Sequence, residues 1–173
     1  LLTSKPMIYA ANLNETRLKD AMAYLSGLKS AADSKGYGLL PIAAKFEHEL
    51  NALTDEDRQM FMAETGITSG GLPRLIESCY QLLKLITFFT AGEKEVRAWT
   101  VREGTTAPRA AGKIHTDIEN GFVRAEIVSY EELNAGGSYA KVREAGKMRI
   151  EGREYLMRDG DVCYFRFTPP AGS

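Results

Sequence analysis

Pro6-Met7-Ile8-Tyr9-Ala10-Ala11-Asn12-Leu13-Asn14-Glu15 reads as a short apolar strand that ends in a polar rim. In doubly wound α/β folds, ligands sit beyond the carboxyl ends of parallel strands, and Asn12 and Glu15 fall at such an end. An Asn amide offers both a donor and an acceptor, and a carboxylate three residues on accepts N–H groups. Together they can read the edge of a purine. The same spacing also suits a strand leaving for a helix, with Asn14 or a neighbour as its cap.

Working outward, Leu18, Met22, Leu25, Leu28 and Ala32 recur at helical spacing, and Gly36 and Gly38 stop the pattern. This predicts a crossover helix. Leu39-Leu40-Pro41-Ile42-Ala43 then makes a second apolar strand, so the order strand-helix-strand predicts a parallel pair. Ala43-Ala44-Lys45 closes that strand on the same edge as Asn12 and Glu15, so both loops can face one ligand.

Thr54-Asp55-Glu56-Asp57 places a cap and three acids at a helix start, and Gly66 ends that helix. A further helix is predicted from Ser69 to Leu83, with Pro73 in its first turn and Leu72, Leu75, Ile76, Cys79, Leu82 and Leu83 on one packing stripe. His48 stands between Glu47 and Glu49, but adjacent helical side chains diverge, so this is not read as a metal site.

After Lys84 the period changes from helical to alternating. Thr87 to Thr90 and Val96 to Val101 predict a hairpin turned by Ala91-Gly92-Glu93-Lys94, and Pro108 to Ile114 predicts a short helix. Further strands are expected at Phe122 to Val128, Lys147 to Ile150, Glu154 to Met157 and Val162 to Phe167, with Asp159-Gly160-Asp161 as a tight turn. This order fits a small sheet gripping a short helix, an α+β arrangement of the ubiquitin-like β-grasp kind.

Composition excludes several classes. With 173 residues, 44% hydrophobic and 26% charged, the chain is an ordinary globular sequence of one or two domains. Its apolar runs fall well short of the roughly 20 residues a membrane helix needs, and Leu1 does not open a signal-peptide pattern. A cytoplasmic address without membrane contact is expected. The formal charge is −1, shared almost evenly between the two halves, so neither half is a polycation of the sort that grips nucleic acid non-specifically. Lys141, Arg143, Lys147, Arg149, Arg153 and Arg158 are interleaved with Glu144, Glu151, Glu154 and Asp159, which predicts a solvated mixed-charge face. Cys79 and Cys163 sit in apolar stretches and read as reduced core thiols. His115-Thr116-Asp117 reads as a turn whose Thr116 or Asp117 bonds backbone amides, and Trp99 and Phe122 read as sheet aromatics rather than RNA-stacking residues.

The run from Phe89 to Thr100, with Ala107-Pro108, Ala110 to Asp117, Gly121-Phe122 and Asp159-Gly160-Asp161-Val162, closely resembles the TGS domain of the Obg-like ATPases of the YchF type. The resemblance runs from about Lys5 to Phe167. It implies an α/β partial P-loop NTPase (Rossmann-like) segment at 1–84, a β-grasp TGS domain at 85–168 and a tail at 169–173. Ordinary GTPases carry Asn-Lys-x-Asp, whereas this family carries Asn-x-x-Glu and is taken to prefer ATP to GTP. Asn12-Leu13-Asn14-Glu15 follows the family version. A site built on exact hydrogen bonds discriminates by roughly 10⁴-fold when one is mispaired, so a carboxylate displaced by one methylene is a physical route to lost guanine preference.

On this resemblance the base site comprises Asn12, Leu13, Glu15, Ala43 and Ala44. Leu13 would pack on the base or sugar in place of the usual Lys, and Ala43 stands where related GTPases often have Ser, so that loop would act through backbone groups of Ala43 or Ala44. The intact protein is implied to be an ATP- or GTP-hydrolysing enzyme that uses Mg²⁺ and associates with ribosomes, with RNA as a TGS partner and no DNA specificity. Phosphoryl transfer needs a phosphate cradle, a lysine, a Mg²⁺ ligand and a group that positions water. Gly70-Gly71 and Gly136-Gly137 lack the Gly-Lys-Ser/Thr ending of a phosphate loop. The chain opens without Met in mid-pattern, as a piece of a longer polypeptide would, and this segment alone is expected to be inactive.

Overall fold

In a computed structural model, residues 4–65, 70–92 and 95–169 are described, with the backbone alone at 63–65. Two compact units divide at Leu83 and Lys84.

In the first unit, β1 (Ile8–Asn12) pairs in parallel with β2 (Gly38–Ile42), and Asn12 stands level with Ile42 at their carboxyl ends. The connection is not the single helix that the apolar spacing predicts. A 3-10 turn (Glu15–Arg17) is followed by α1 (Ala21–Tyr24) and α2 (Ser26–Ser34), broken at Leu25. Ser26-Gly27 explains the break, because both are weak helix formers and the pair is a common kink point. The small residues Ala21 and Ala32 are buried, whereas Met22 and Leu28 of the expected stripe are exposed. Gly36, at φ +67°, ends α2 as the pattern requires.

Ala43 precedes α3 (Ala44–Asn51), whose Phe46 and Leu50 form a small core with Ala43. The next helix, α4 (Asp55–Thr65), is capped by Thr54: its hydroxyl accepts the Asp57 amide at 3.2 Å and donates to the Asp57 carboxylate at 2.8 Å. Glu47, dismissed above as a metal ligand, caps α5 (Gly71–Leu83) by accepting the Gly71 amide at 2.5 Å. The stripe expected to pack is largely exposed at Leu72, Leu75, Ile76 and Leu83. Ser78, Gln81 and Leu82 instead face Ile8, Gly38 and Leu39 across a cavity of about 340 Å³, because a two-stranded sheet is too narrow to cover the whole stripe. Gly66, Ser69, the Glu93-Lys94 half of the expected hairpin turn and Pro170 to Ser173 lie outside the described residues.

In the second unit, β3 (Leu85–Ala91) and β4 (Val96–Arg102) form the expected hairpin, closed by the Gly92 amide on the Glu95 carbonyl at 2.9 Å. Next come α6 (Ala107–Gly112), α7 (Thr116–Asn120) and β5 (Phe122–Ser129). Then follow α8 (Tyr130–Gly136), α9 (Tyr139–Glu144), β6 (Arg149–Glu151) and β7 (Asp161–Phe167). The sheet order is β4-β3-β7-β5-β6, with β7 parallel to β3 and antiparallel to β5. On one face Ala107, Ala110 and Ala111 of α6 are fully buried against Phe88, Val101, Ala125, Ile127, Cys163 and Phe165, since methyl-sized side chains let the helix lie close to the sheet. Val142 joins Val128 and Val162 in a smaller core on the other face.

The expected strand from Glu154 to Met157 does not form. Leu156 makes only an isolated bridge to Thr106, and the Ala107 and Met157 amides bond to the Tyr155 and Thr105 carbonyls. Alternating burial at Tyr155 and Met157 produced the strand-like signal, but the segment straps the entrance to α6 rather than extending the sheet.

Candidate functional site

Because β1 and β2 are parallel and in register, their carboxyl ends bring Asn12 and the Ala43-Ala44 turn side by side. The Leu13 amide donates to the Ile42 carbonyl at 2.7 Å, and Asn12 Oδ1 accepts the Ala44 amide at 3.0 Å. Asn12 therefore ties the two loops together through its oxygen, and the amide nitrogen of the same side chain is chemically a donor. Asn14 caps the 3-10 turn, its side chain accepting the Thr16 amide at 3.2 Å. Capping therefore falls to Asn14, while Asn12, two residues before it, bonds the second loop.

Asn12 and Glu15 are both exposed, with Glu15 in the first turn after the cap, and Leu13 is half-buried. Ala44 is exposed but Ala43 is 1% exposed, its methyl group in the core with Phe46 and Leu50. Only the backbone of Ala43 can reach a ligand. Lys45, in the first turn of α3, extends into solvent and pairs with Glu49 at 3.8 Å. The edge can therefore present a fixed amide donor, a carboxylate acceptor and backbone groups, with an aliphatic side chain between them.

The remaining sequence candidates are structural. Trp99 donates its indole N–H to Thr90 Oγ1 at 2.9 Å and packs on the core, and Phe122 is buried. His115, rather than Thr116 or Asp117, does the capping: its Nδ1 accepts the Asp117 amide at 3.2 Å, and the segment starts α7 instead of making a simple turn. An extended His115 backbone places its ring over the first turn, an option open to any residue with a short-range acceptor. Burial pushes the Cys163 thiol far above its ordinary range, which removes the thiolate a nucleophile needs.

Two charged clusters in the second unit escape one-dimensional reading. Buried Asp161 accepts from the Tyr155 hydroxyl at 2.9 Å, the Arg158 amide at 2.9 Å and Arg149 at 3.2 Å. Glu126, 7% exposed, accepts from Arg143 at 2.7 Å and Arg166 at 3.0 Å. Lys141, Arg143, Lys147, Arg153 and Arg158 are exposed, as the mixed-charge pattern predicts, and Arg143 and half-buried Arg149 are in addition anchored to buried carboxylates. The partners lie on different elements, so spacing along the chain carried no signal of them.

Residues 85–168 match the family model described as "YchF-GTPase_C: Protein of unknown function (DUF933)". A protein named "Ribosome-binding ATPase YchF" from Bacillus subtilis is 49% identical, over 97% of this chain and 46% of its own. "Obg-like ATPase 1" from Gallus gallus is 45% identical over 97% of this chain and 43% of its own. A solved structure of the Schizosaccharomyces pombe YchF GTPase superposes with a TM-score of 0.81 at 40% identity, covering 96% of this chain and 44% of that one. The chain spans about half the length of the curated relatives it matches. It belongs to the YchF/Obg-like ATPase family and corresponds to the carboxyl-terminal part of its members.

Proposed function

We propose that residues 1–84 are the base-reading end of an ATP-preferring P-loop NTPase domain, and that residues 85–168 are a TGS domain of β-grasp fold. In the parent polypeptide this tail would act as the nucleotide-selecting and regulatory portion of a cytoplasmic, ribosome-associated ATPase. Asn12, Leu13, Glu15, Ala43 and Ala44 would contact the base, and Mg²⁺ and the phosphates would be held by residues outside this segment. The reading rests above all on one observation: Asn12 Oδ1 holds the Ala44 amide at 3.0 Å, joining the two loops at the strands' carboxyl edge.

With its oxygen committed, Asn12 donates from Nδ2 to a purine acceptor, while Glu15 accepts from base N–H groups. The phosphate apparatus that hydrolysis requires is not recognisable in the 173 residues, so the segment by itself is proposed to be inactive. Titration of the parent polypeptide with ATP and GTP tests the base site. Tighter ATP binding that shifts on Glu15→Asp supports it; equal binding of both nucleotides, unchanged by that substitution, defeats it.

A second reading, an autonomous TGS module that binds RNA or protein, is favoured by the separate core and continuous sheet of the second unit. Ribosome co-sedimentation of residues 85–173 across a salt series separates the two, because an autonomous module keeps its binding without the first unit.

A further inference from the structure

The sheet of the second unit has two edge strands of different character. β6 is only three residues long. β4 runs for seven residues, contains no proline and keeps unbroken register with β3, so it lacks the shortening, bulge or proline that commonly blunts an edge. The Gly92 amide on the Glu95 carbonyl at 2.9 Å and the Glu103 amide on the Lys84 carbonyl at 2.8 Å set the phase of the hairpin ladder. Bonded and non-bonded pairs alternate in an antiparallel ladder. Arg97, Trp99 and Val101 therefore bond to β3, while Val96 and Ala98 turn both their N–H and their C=O to the open side. Both residues are exposed, Val96 at 73%.

Charge decides what can pair there. Arg97 lies over Trp99, its guanidinium 4.4 Å from the ring centroid, and Trp99 is itself held by its bond to Thr90. Beside the carboxyl half of the strand, β4 and α6 frame a cavity of about 770 Å³ whose lining includes Arg102, Thr105, Thr106, Arg109, Lys113 and Glu119. The one carboxylate in that lining faces Arg109 at 3.7 Å, which leaves a surplus of two positive charges. Among the described residues, Arg97, Arg102 and Lys113 pair with no carboxylate. β4 carries two arginines and no acid, so a second copy of the chain paired edge to edge would bring four guanidinium groups to one seam. The same charges attract an extended segment bearing Asp or Glu, because opposite charges on neighbouring strands stabilise the pair and like charges oppose it.

We propose that the open edge of β4 takes an extended acidic peptide of another protein as a sixth strand, its backbone bonded to Val96 and Ala98 and its carboxylates at Arg97 and in the cavity of Arg102, Arg109 and Lys113. This deepens the second reading above by naming a surface and a partner chemistry for the second unit. The two fail separately, because ribosome co-sedimentation reports on the whole surface of that unit, whereas the assay below contains no ribosome.

The test is fluorescence anisotropy of a labelled peptide of alternating Val and Glu titrated with the 173-residue chain, with the matching Val and Lys peptide as the charge control. Only the acidic peptide should bind. Alternate residues of a strand bond to opposite sides, so N-methylation of every Val and N-methylation of every Glu should differ: one set abolishes binding and the other leaves it. Ala98→Pro deletes an outward N–H without touching the bonds to β3, a place where an edge strand tolerates proline. It should melt close to the unsubstituted chain and weaken binding about 5-fold or more, the worth of one hydrogen bond, whereas Ala98→Val keeps the affinity. Absence of binding by the acidic peptide overturns the proposal, as does equal binding of the basic one. Equal loss from both methylated peptides also overturns it, since attraction by charge alone has no preferred backbone edge. If Ala98→Pro melts early, the methylated peptides decide alone, because they leave the protein unaltered.

Discussion

Asn12 and Ala44 lie 32 residues apart, yet the side-chain oxygen of the first accepts the backbone amide of the second at 3.0 Å. That bond commits the oxygen of the amide to holding the rim together and, in the proposed base site, leaves its nitrogen as the donor. Asn12→Ala should lose both, lowering stability by about 1 kcal/mol and weakening purine-nucleotide binding by the parent polypeptide. Asn12→Asp keeps an acceptor for Ala44 but has no donor. It should melt close to the unsubstituted protein while binding nucleotide as poorly as Asn12→Ala, and parallel melts and nucleotide titrations read the two effects apart.

Glu126 predicts an acid limb in stability. The hydrogen bond from Arg166 is the largest influence on it, reinforced by the charges of Arg166, Arg143 and Arg124 and opposed by burial, and together they hold its carboxyl below the ordinary 4.5. A carboxyl depressed in the folded state binds fewer protons than in the unfolded chain at intermediate pH, so stability rises with pH there. Its contribution is complete above about 4.5 and is lost as pH falls from there through the folded value. Urea unfolding between pH 3 and 6 should show this slope, and Glu126→Gln, which cannot titrate, should flatten it.

Gly121 marks where α7 hands over to β5. Its amide bonds to the Asp117 carbonyl at 2.9 Å and its carbonyl receives the Thr168 amide at 2.8 Å. A Cβ at this position would stand 2.0 Å from the Thr168 carbonyl oxygen, which is backbone and cannot swing aside. Gly121→Ala must therefore separate the end of β7 from the start of β5, and a cost of about 2–4 kcal/mol is expected from overpacking together with a broken backbone bond. A melting temperature within a degree or two of the parent would contradict this.

What the sequence made legible was what local patterns encode. The alternation in β3 and β4, the Thr54 cap and the strand-crossover-strand order of the first unit all appear where spacing placed them, because burial of one face imposes a period on the chain. The family motif led to Asn12 and Glu15 at one exposed edge, but not to the bond that commits the Asn12 oxygen. The helices α8 and α9 have no counterpart among the expected elements, although the Ser129 cap three residues before Glu132 is visible in sequence, its hydroxyl accepting the Glu132 amide. The clusters around Glu126 and Asp161 had no linear signal, since each assembles only when β7 inserts between β3 and β5.

The Asp159-Gly160-Asp161 turn shows why such a cluster is demanding. Asp159 accepts the Thr87 amide at 2.7 Å, Gly160 adopts φ +79°, and the Asp161 carboxylate is then delivered to the interior at 2% exposure. Taking a charge out of water is costly, and here the Tyr155 hydroxyl, the Arg158 amide and Arg149 offset that cost together. Removing the only opposite charge in that set leaves the carboxylate buried and uncompensated. Arg149→Leu should therefore destabilise the second unit by about 3–5 kcal/mol, whereas Tyr155→Phe, which deletes one neutral donor, should cost about 1–2 kcal/mol. Adding Asp161→Asn to Arg149→Leu removes the stranded charge and should recover part of the loss. Chemical denaturation of the three variants checks the order, and a double variant less stable than Arg149→Leu alone would show that the network is not held by charge compensation.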